Sequence, residues 1–127
     1  MKIDESLGTV EGIFSLAGPA SLPLIMAAHQ FLIELDSEVV IVPRLGEKSL
    51  AYGIGIKKMS EAYCYLIPFK DYVNFGFYHG TEIDSDGILE GTGAKIRHIK
   101  IRGLGDLQSP KLTALVLKAI QDRKSKA

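Results

Sequence analysis

Residues 50–78 read LAYGIGIKKMSEAYCYLIPFKDYVNFGFY, and this stretch carries the pattern that decides the fold. Apolar residues alternate with small or polar ones in three runs, at 50–56, 63–67 and 73–78. Successive side chains of a strand point to opposite faces of a sheet, so this period of two predicts three neighbouring half-buried strands. Pro68 is expected to end the second run, because proline cannot donate a hydrogen bond to a sheet.

Further strands are predicted on both sides of this stretch. Residues 39–42 are β-branched or apolar, and residues 45–48 form a turn that leads back into the alternating runs. A final strand places Ile99 and Ile101 on one face and His98, Lys100 and Arg102 on the other.

Three helices complete the predicted secondary structure, over residues 4–16, residues 21–36 and from Ser109 onward. The last is the clearest, because proline follows Ser109 at the first helical position and an i, i+3, i+4, i+7, i+8 apolar stripe begins at Leu112. Consecutive strands between helices predict one α+β domain over residues 1–127. Its expected architecture is a two-layer sandwich, an antiparallel sheet with helices on one face.

Composition supports a single folded core and limits the classes of function. The chain has 127 residues, of which 46% are hydrophobic and 24% charged, and its 15 basic residues balance 15 acidic ones. Whole-chain charge therefore indicates no nucleic-acid partner. The lone Cys64 and the absence of a signal-peptide pattern favour a cytoplasmic location. Residues 12–33 carry no charge, but their prolines and polar residues favour a buried helix over a membrane span.

An acidic segment between the last two predicted strands offers candidate metal ligands. Its four carboxylates, here called the hairpin carboxylates, are Glu82, Asp84, Asp86 and Glu90. Carboxylate oxygens suit hard cations, so a metal site is one reading. The other reading is a turn in which Asp84 and Asp86 hydrogen-bond the backbone and Gly87 adopts positive φ.

A glycine-rich, basic segment follows directly. The backbone of Gly91 and Gly93 could present N–H groups to an anion, with charge from Lys95 and Arg97, although these glycines equally suit a tight entry into the last strand. The predicted ligand pocket joins this segment to two aromatic residues. Its residues are Tyr52, Tyr78, Gly91, Gly93, Lys95, Arg97 and His98.

No residue set specifies a reaction, so an enzyme is not expected. Cys64 lies in a predicted strand, where a single cysteine is usually a small buried apolar residue. A soft metal site of Cys64 with His79 and His98 is an alternative without the paired spacing that such sites normally show.

Several motifs resemble those of a known family. They are YGIG at 52–55, KKMS at 57–60, VNFGFY at 73–78, Gly80, GILEGTG at 87–93 and Arg97-His98. This pattern resembles the YdhG-like family of bacterial and archaeal domains, a frataxin-like family of intracellular iron chaperones, over roughly residues 20–122. The resemblance implies a frataxin-like sandwich and iron handling for iron–sulfur or haem assembly.

Three hypotheses about function follow. The first is weak iron binding through the hairpin carboxylates, as the resemblance and the acidic segment suggest. The second is a small-molecule or anion pocket at the glycine-rich segment. The third is a protein-interaction module that uses the basic strand face or an exposed sheet. A homodimer is one arrangement that this hypothesis leaves open.

Overall fold

Six strands form one sheet in a computed structural model that describes residues 1–127. The strands are β1 (Lys2–Ile3), β2 (Val40–Arg44), β3 (Ser49–Gly53), β4 (Ala62–Pro68), β5 (Val73–Phe77) and β6 (Arg97–Ile101). They lie side by side in chain order, and every neighbouring pair is antiparallel except β1 and β2, which are parallel. The predicted α+β fold with a mostly antiparallel sheet is confirmed.

Two long helices cover one face of this sheet. The helices are α1 (Val10–Phe14), α2 (Leu22–Leu35), α3 (Lys58–Glu61), α4 (Gly80–Ile83) and α5 (Pro110–Ser125), with 3-10 turns at Leu45–Glu47 and Leu104–Gln108. Both α2 and α5 pack against β4, and their buried residues join those of the strands in one core. The apolar stripe of α5 is buried as its spacing predicts. No helix combines the length and apolar character needed to cross a membrane.

The strand register determines which side chains enter this core. Cys64 lies opposite Tyr52 on one side and Phe77 on the other, and Leu66 lies in line with them toward the helices. These four side chains are almost completely excluded from solvent. The alternation predicted for residues 64–67 and 73–78 therefore sorts side chains between a helix-covered face and the opposite face, as expected. Tyr63 was predicted on the face of Tyr65, which is wrong: the register shift opposite it places Tyr63 in the same core as Cys64.

The N-terminal helix is shorter than the pattern predicts. The apolar spacing predicts a helix over residues 4–16, whereas α1 begins at Val10 and Leu7 is about half exposed. The side chain of Thr9 accepts a hydrogen bond from the Gly12 N–H at 2.9 Å, which caps the helix at this point. The residues before this cap instead add the short strand β1, which the sequence pattern did not reveal.

The third strand also ends earlier than its alternation suggests. β3 ends at Gly53, and Ile56 is half exposed beyond it. The register between β3 and β4 shifts at Tyr52/Gly53, where the backbone of Glu61 and Ala62 passes too close to Gly53 for any side chain there. Residues 54–61 therefore leave the sheet and form a separate covering segment.

Candidate functional site

The sheet has a second face, on the side away from α2 and α5, which we call the open face. A small apolar cluster lies on it, made of Val42, Ala51, Ala62 and Tyr78 with the partly buried Val40 and Tyr65. The two tyrosine rings contact each other, with centroids 5.2 Å apart. The open face is therefore partly packed rather than fully solvated.

Gly76 makes room for the ring of Tyr65 on the open face. Gly76 lies directly opposite Tyr65 in the β4–β5 pairing, and the Tyr65 ring occupies the space that a side chain at Gly76 would need. A glycine within a strand normally weakens it, because it packs no side chain. Here the Tyr65 ring covers the glycine and is held flat against the open face.

The covering segment, residues 54–61, is attached to both sides of the sheet. Toward the open face, the Arg44 guanidinium donates to the Ile56 carbonyl at 2.9 Å, and the Lys58 ammonium donates to Glu47 at 3.0 Å. Toward the helices, the carbonyl of Met59 accepts from the Arg123 guanidinium and lies 2.6 Å from the His79 Nε2. A carbonyl only accepts, so this nitrogen of His79 carries a proton.

A cavity of about 130 Å³ lies on the open face, with Lys58 of this segment at its edge. Its walls are formed by Glu47, Ser49, Lys58, Tyr65, Ile67, Tyr78 and Ile96, and we call it the open-face cavity. Strands β3 and β4 supply its floor, whereas the turn after β2 and the helix α3 supply its charged rim. Residues distant in the sequence therefore converge at one place.

Ser49 is the most informative residue of this cavity. It is only 2% exposed, and its hydroxyl has no hydrogen-bond partner in the protein. Nearly all buried polar side-chain atoms have a partner, so the orphaned hydroxyl of a residue that lines a cavity marks a place where water or a ligand can supply one. The Nε of Arg44 and the Oδ1 of Asn74, both on open-face strand positions, are also buried without a partner.

The two tyrosine hydroxyls of the cavity are available as hydrogen-bond donors. Burial raises the pKa of Tyr65 and of Tyr78, so both phenols stay protonated at neutral pH. Within the protein, the hydrogen-bonded tyrosine hydroxyls are those of Tyr52 and Tyr63. The residues of the cavity therefore include two protonated phenols and one ammonium group that can bind a ligand, beside the buried hydroxyl of Ser49.

Of the residues predicted to form a ligand pocket, Tyr78 lies in the cavity wall and Tyr52 does not. Tyr52 faces the helices, is completely buried, and shares a 2.7 Å hydrogen bond with the Nδ1 of His29. The expected meeting of Tyr52 with Tyr78 is wrong, because residue 52 points to the helix-covered face and residue 78 to the open one.

The glycine-rich segment contributes one wall of the cavity rather than an anion-binding loop. The Arg97 guanidinium donates to the carbonyls of Gly93 and Ile96, at 2.6 and 2.8 Å, so its charge stabilises the loop itself. Gly91 and Lys95 are exposed and line no part of the cavity. His98 lies on the open face, opposite Gly76, and only Ile96 of this segment reaches the cavity.

The hairpin carboxylates are not assembled into a metal site. No three His, Cys, Asp or Glu side chains of the chain lie close enough together to hold a metal ion. Both oxygens of Asp84 accept backbone N–H groups, from Ile88 and Leu89, and Gly87 adopts a φ of 68°. Asp84 and Gly87 therefore form the turn that the sequence offered as the alternative to a metal site.

The other hairpin carboxylates point to different surroundings. Glu82 binds the Lys126 ammonium at 3.2 Å, which lowers the pKa of its carboxyl group. Asp86 is exposed beside a groove along α5, and Glu90 is exposed next to its backbone bridge with His98. The alternative soft site is not formed either, because Cys64 is buried on the helix-covered face.

Sequence reasoning missed six of the seven cavity residues, namely Glu47, Ser49, Lys58, Tyr65, Ile67 and Ile96. Lys58 alone belongs to one of the motifs, and the six come from four separate segments of the chain, at residues 47–49, 58, 65–67 and 96. The one available signal was a serine directly before the first apolar residue of a predicted strand, which is also a common feature of ordinary strands.

Comparison with profiles of known protein families, with curated proteins and with solved structures finds no match to this chain.

Proposed function

We propose that this chain is a small-molecule-binding domain and that its site is the open-face cavity. The observation that carries the proposal is Ser49, a residue of the cavity wall whose buried hydroxyl has no partner in the protein. Leaving such a group unsatisfied costs about 1–3 kcal/mol, a cost that a bound ligand would remove.

The lining of the cavity has the character of a ligand site. Apolar walls from Ile67 and Ile96 are combined with a few polar groups, a combination typical of small-molecule sites. A volume of about 130 Å³ is below the usual range for drug-sized ligands, so the occupant is small or enters with only one end.

A fragment screen by NMR tests this proposal directly. ¹⁵N-labelled protein would be titrated with a panel of small acids, amides, amines and alcohols. We expect at least one class to shift the backbone amides of Ser49, Tyr65 and Tyr78 together, with saturation. Shifts that are absent, or that cluster elsewhere on the chain, would contradict the proposal.

Paired tyrosine variants give the matched control for the same screen. Tyr78→Phe removes a hydroxyl from the cavity, whereas Tyr72→Phe removes one from a half-buried ring outside it. We expect the first variant to weaken binding and the second to leave it unchanged. Equal effects of the two variants would count against the cavity as the site.

The YdhG-like resemblance, and the iron handling that it implies, stay predictions. The separated hairpin carboxylates give iron binding no support, since each has its own surroundings. The absence of an enzymatic activity and the homodimer also stay predictions.

A further inference from the structure

Charged residues are distributed unevenly between the sheet and the rest of the chain. All 15 aspartates and glutamates lie outside the strands, since none of the six strands contains an acidic residue. Strand β6 places Lys100 on the open face, and Arg102 follows on the same face directly after the strand. The charge balance of the whole chain, which indicated no nucleic-acid partner, therefore does not describe this face.

Neither of these two cations is paired with a carboxylate. The ion pairs of the chain all involve other residues. Asp106 lies next to Arg102, but its carboxylate accepts the backbone N–H groups of Arg102 and Gly103, at 2.8 and 3.2 Å. The side chains of Lys100 and Arg102 are therefore free to pair with an anion from outside the chain.

Two aromatic rings lie beside the cations. Phe69 and Tyr72 face each other across the turn between β4 and β5, and their rings stack with centroids 5.0 Å apart. The Lys100 ammonium and the Arg102 guanidinium each lie 5.4 Å from the centre of the Tyr72 ring. Phe69 is 41% exposed although Tyr72 covers part of its ring, so the pair offers aromatic surface to solvent. We call these four residues the basic aromatic patch.

The sheet holds this patch at one end of the open face. Val73 pairs with Ile101, so the preceding Tyr72 lies opposite Arg102, and Lys100 lies opposite Asn74 one row further along. The long helices α2 and α5 lie on the other side of the sheet. Stacked rings and unpaired cations are therefore presented together on a sheet face that these helices leave uncovered.

The chemistry of the patch suits an unpaired nucleotide better than an acidic peptide. A nucleotide combines a flat base, which stacks on aromatic rings, with a phosphate, which pairs with lysine or arginine. A peptide carboxylate would use the cations and leave the exposed ring of Phe69 without a partner. In one common type of RNA-binding domain, aromatic side chains on an open antiparallel sheet stack two or three bases of a single strand.

We propose that the basic aromatic patch binds a single-stranded nucleic acid. A base stacks on Phe69, while Lys100 and Arg102 bind the neighbouring phosphates. This inference does not depend on the proposed function, because no residue of the patch lines the open-face cavity.

Fluorescence anisotropy with a short labelled single-stranded RNA of mixed sequence tests the proposal. We expect saturable binding at low salt, and the logarithm of Kd should rise by about 1.4 for each tenfold increase in salt, the value for two phosphate contacts. Two unlabelled competitors separate the contribution of the bases from that of charge. An abasic strand of the same length and a poly-glutamate peptide of the same charge should each compete at least about fivefold more weakly, because neither has a base to stack.

Single-site variants test where the strand binds. Phe69→Leu keeps an apolar side chain but removes the flat ring, and it should weaken binding at least about fivefold. Lys100→Gln and Arg102→Gln should each lower the salt slope by about 0.7. The matched control, Lys111→Gln, removes an exposed cation from α5 and should change neither quantity. Thermal unfolding of each variant verifies that it folds.

The same RNA annealed to its complement tests the requirement for a single strand. Its bases are no longer accessible, so the duplex should bind the native protein and Phe69→Leu equally.

Four outcomes would overturn the proposal. They are the absence of saturable RNA binding, unchanged RNA affinity in Phe69→Leu, equal effects of Lys100→Gln and Lys111→Gln, and a duplex affinity that depends on Phe69 as strongly as the single strand does. Equal competition by poly-glutamate would also overturn it and would assign the patch to an acidic protein partner.

Discussion

Replacing Gly76 with alanine should destabilise the protein, and removing the ring of Tyr65 should reverse the sign of that effect. The Tyr65 ring occupies the space that a Cβ at residue 76 requires, so an alanine there must displace the ring. The displaced ring also loses its contact with Tyr78, whose centroid lies 5.2 Å away.

The expected magnitudes follow from these contacts. Overpacking in a well-packed site costs about 1–3 kcal/mol, and a tyrosine pair contributes about 0.5–1.5 kcal/mol beyond its buried area. Alanine itself is favoured over glycine in a strand by about 0.5–1 kcal/mol. Gly76→Ala should thus lower the free energy of unfolding by about 2 kcal/mol in the native background. In a Tyr65→Ala background the same change should raise it by about 0.5 kcal/mol or more.

Urea denaturation of the four proteins in this cycle gives the coupling free energy. The chain has no tryptophan, so far-ultraviolet circular dichroism is the suitable signal. With a slope near 2 kcal/mol/M, a loss of about 2 kcal/mol moves the midpoint by about 1 M. If Gly76→Ala costs the same in both backgrounds, the ring of Tyr65 is not what requires the glycine, and the reasoning is refuted.

Three further predictions concern buried polar groups and the hairpin. Burial lowers the pKa of His29, so as pH falls the unfolded chain binds a proton at His29 before the folded chain does. The free energy of unfolding should therefore fall as pH drops below about 6.5. A His29→Gln variant should lose this dependence when urea titrations at pH 7.5 and 5.5 are compared. The hydroxyl of Tyr63 donates a hydrogen bond to the buried Asp36 at 2.9 Å. Tyr63→Phe should therefore lower the free energy of unfolding by about 1.5–3 kcal/mol in the same assay. Tyr72→Phe, the control, should lower it by less than about 0.5 kcal/mol. Equal losses of stability in those two variants would contradict a stabilising Tyr63–Asp36 hydrogen bond. Replacing the four hairpin carboxylates with amides should leave any ferrous iron affinity unchanged in anaerobic calorimetry, because they do not converge; a large loss would show that they bind iron together.

Strand alternation and helix stripes predicted most of the fold from particular residues. The run from Val73 to Tyr78 was assigned to its correct faces, because side-chain direction in a strand depends on local geometry alone. The short strand β1 was missed, since two residues carry no periodic pattern and its pairing with β2 depends on contacts far along the chain. The early end of β3 was missed because it depends on the backbone of residues 61 and 62 passing close to Gly53.

The candidate site was predicted less well than the fold. Tyr78 was selected, but its expected partner Tyr52 points to the other face of the sheet. That error concerns relative position, because the pattern assigns alternate residues to two faces without saying which distant side chains meet on each. Arg97 was expected to bind a ligand, whereas neighbouring carbonyls of its own loop already use its guanidinium.

The amino-acid sequence by itself determined the strands of residues 50–78, the helix α5 and the division of side chains between two faces. These features depend on periodicity and capping, which act over a few residues and are readable in one dimension. Only the tertiary structure decided that Glu47, Ser49, Lys58 and Ile96 border one cavity, and that the Ser49 hydroxyl there has no partner. Cavities and unsatisfied groups arise where segments distant in the chain pack against each other, and no local pattern records which segments those are.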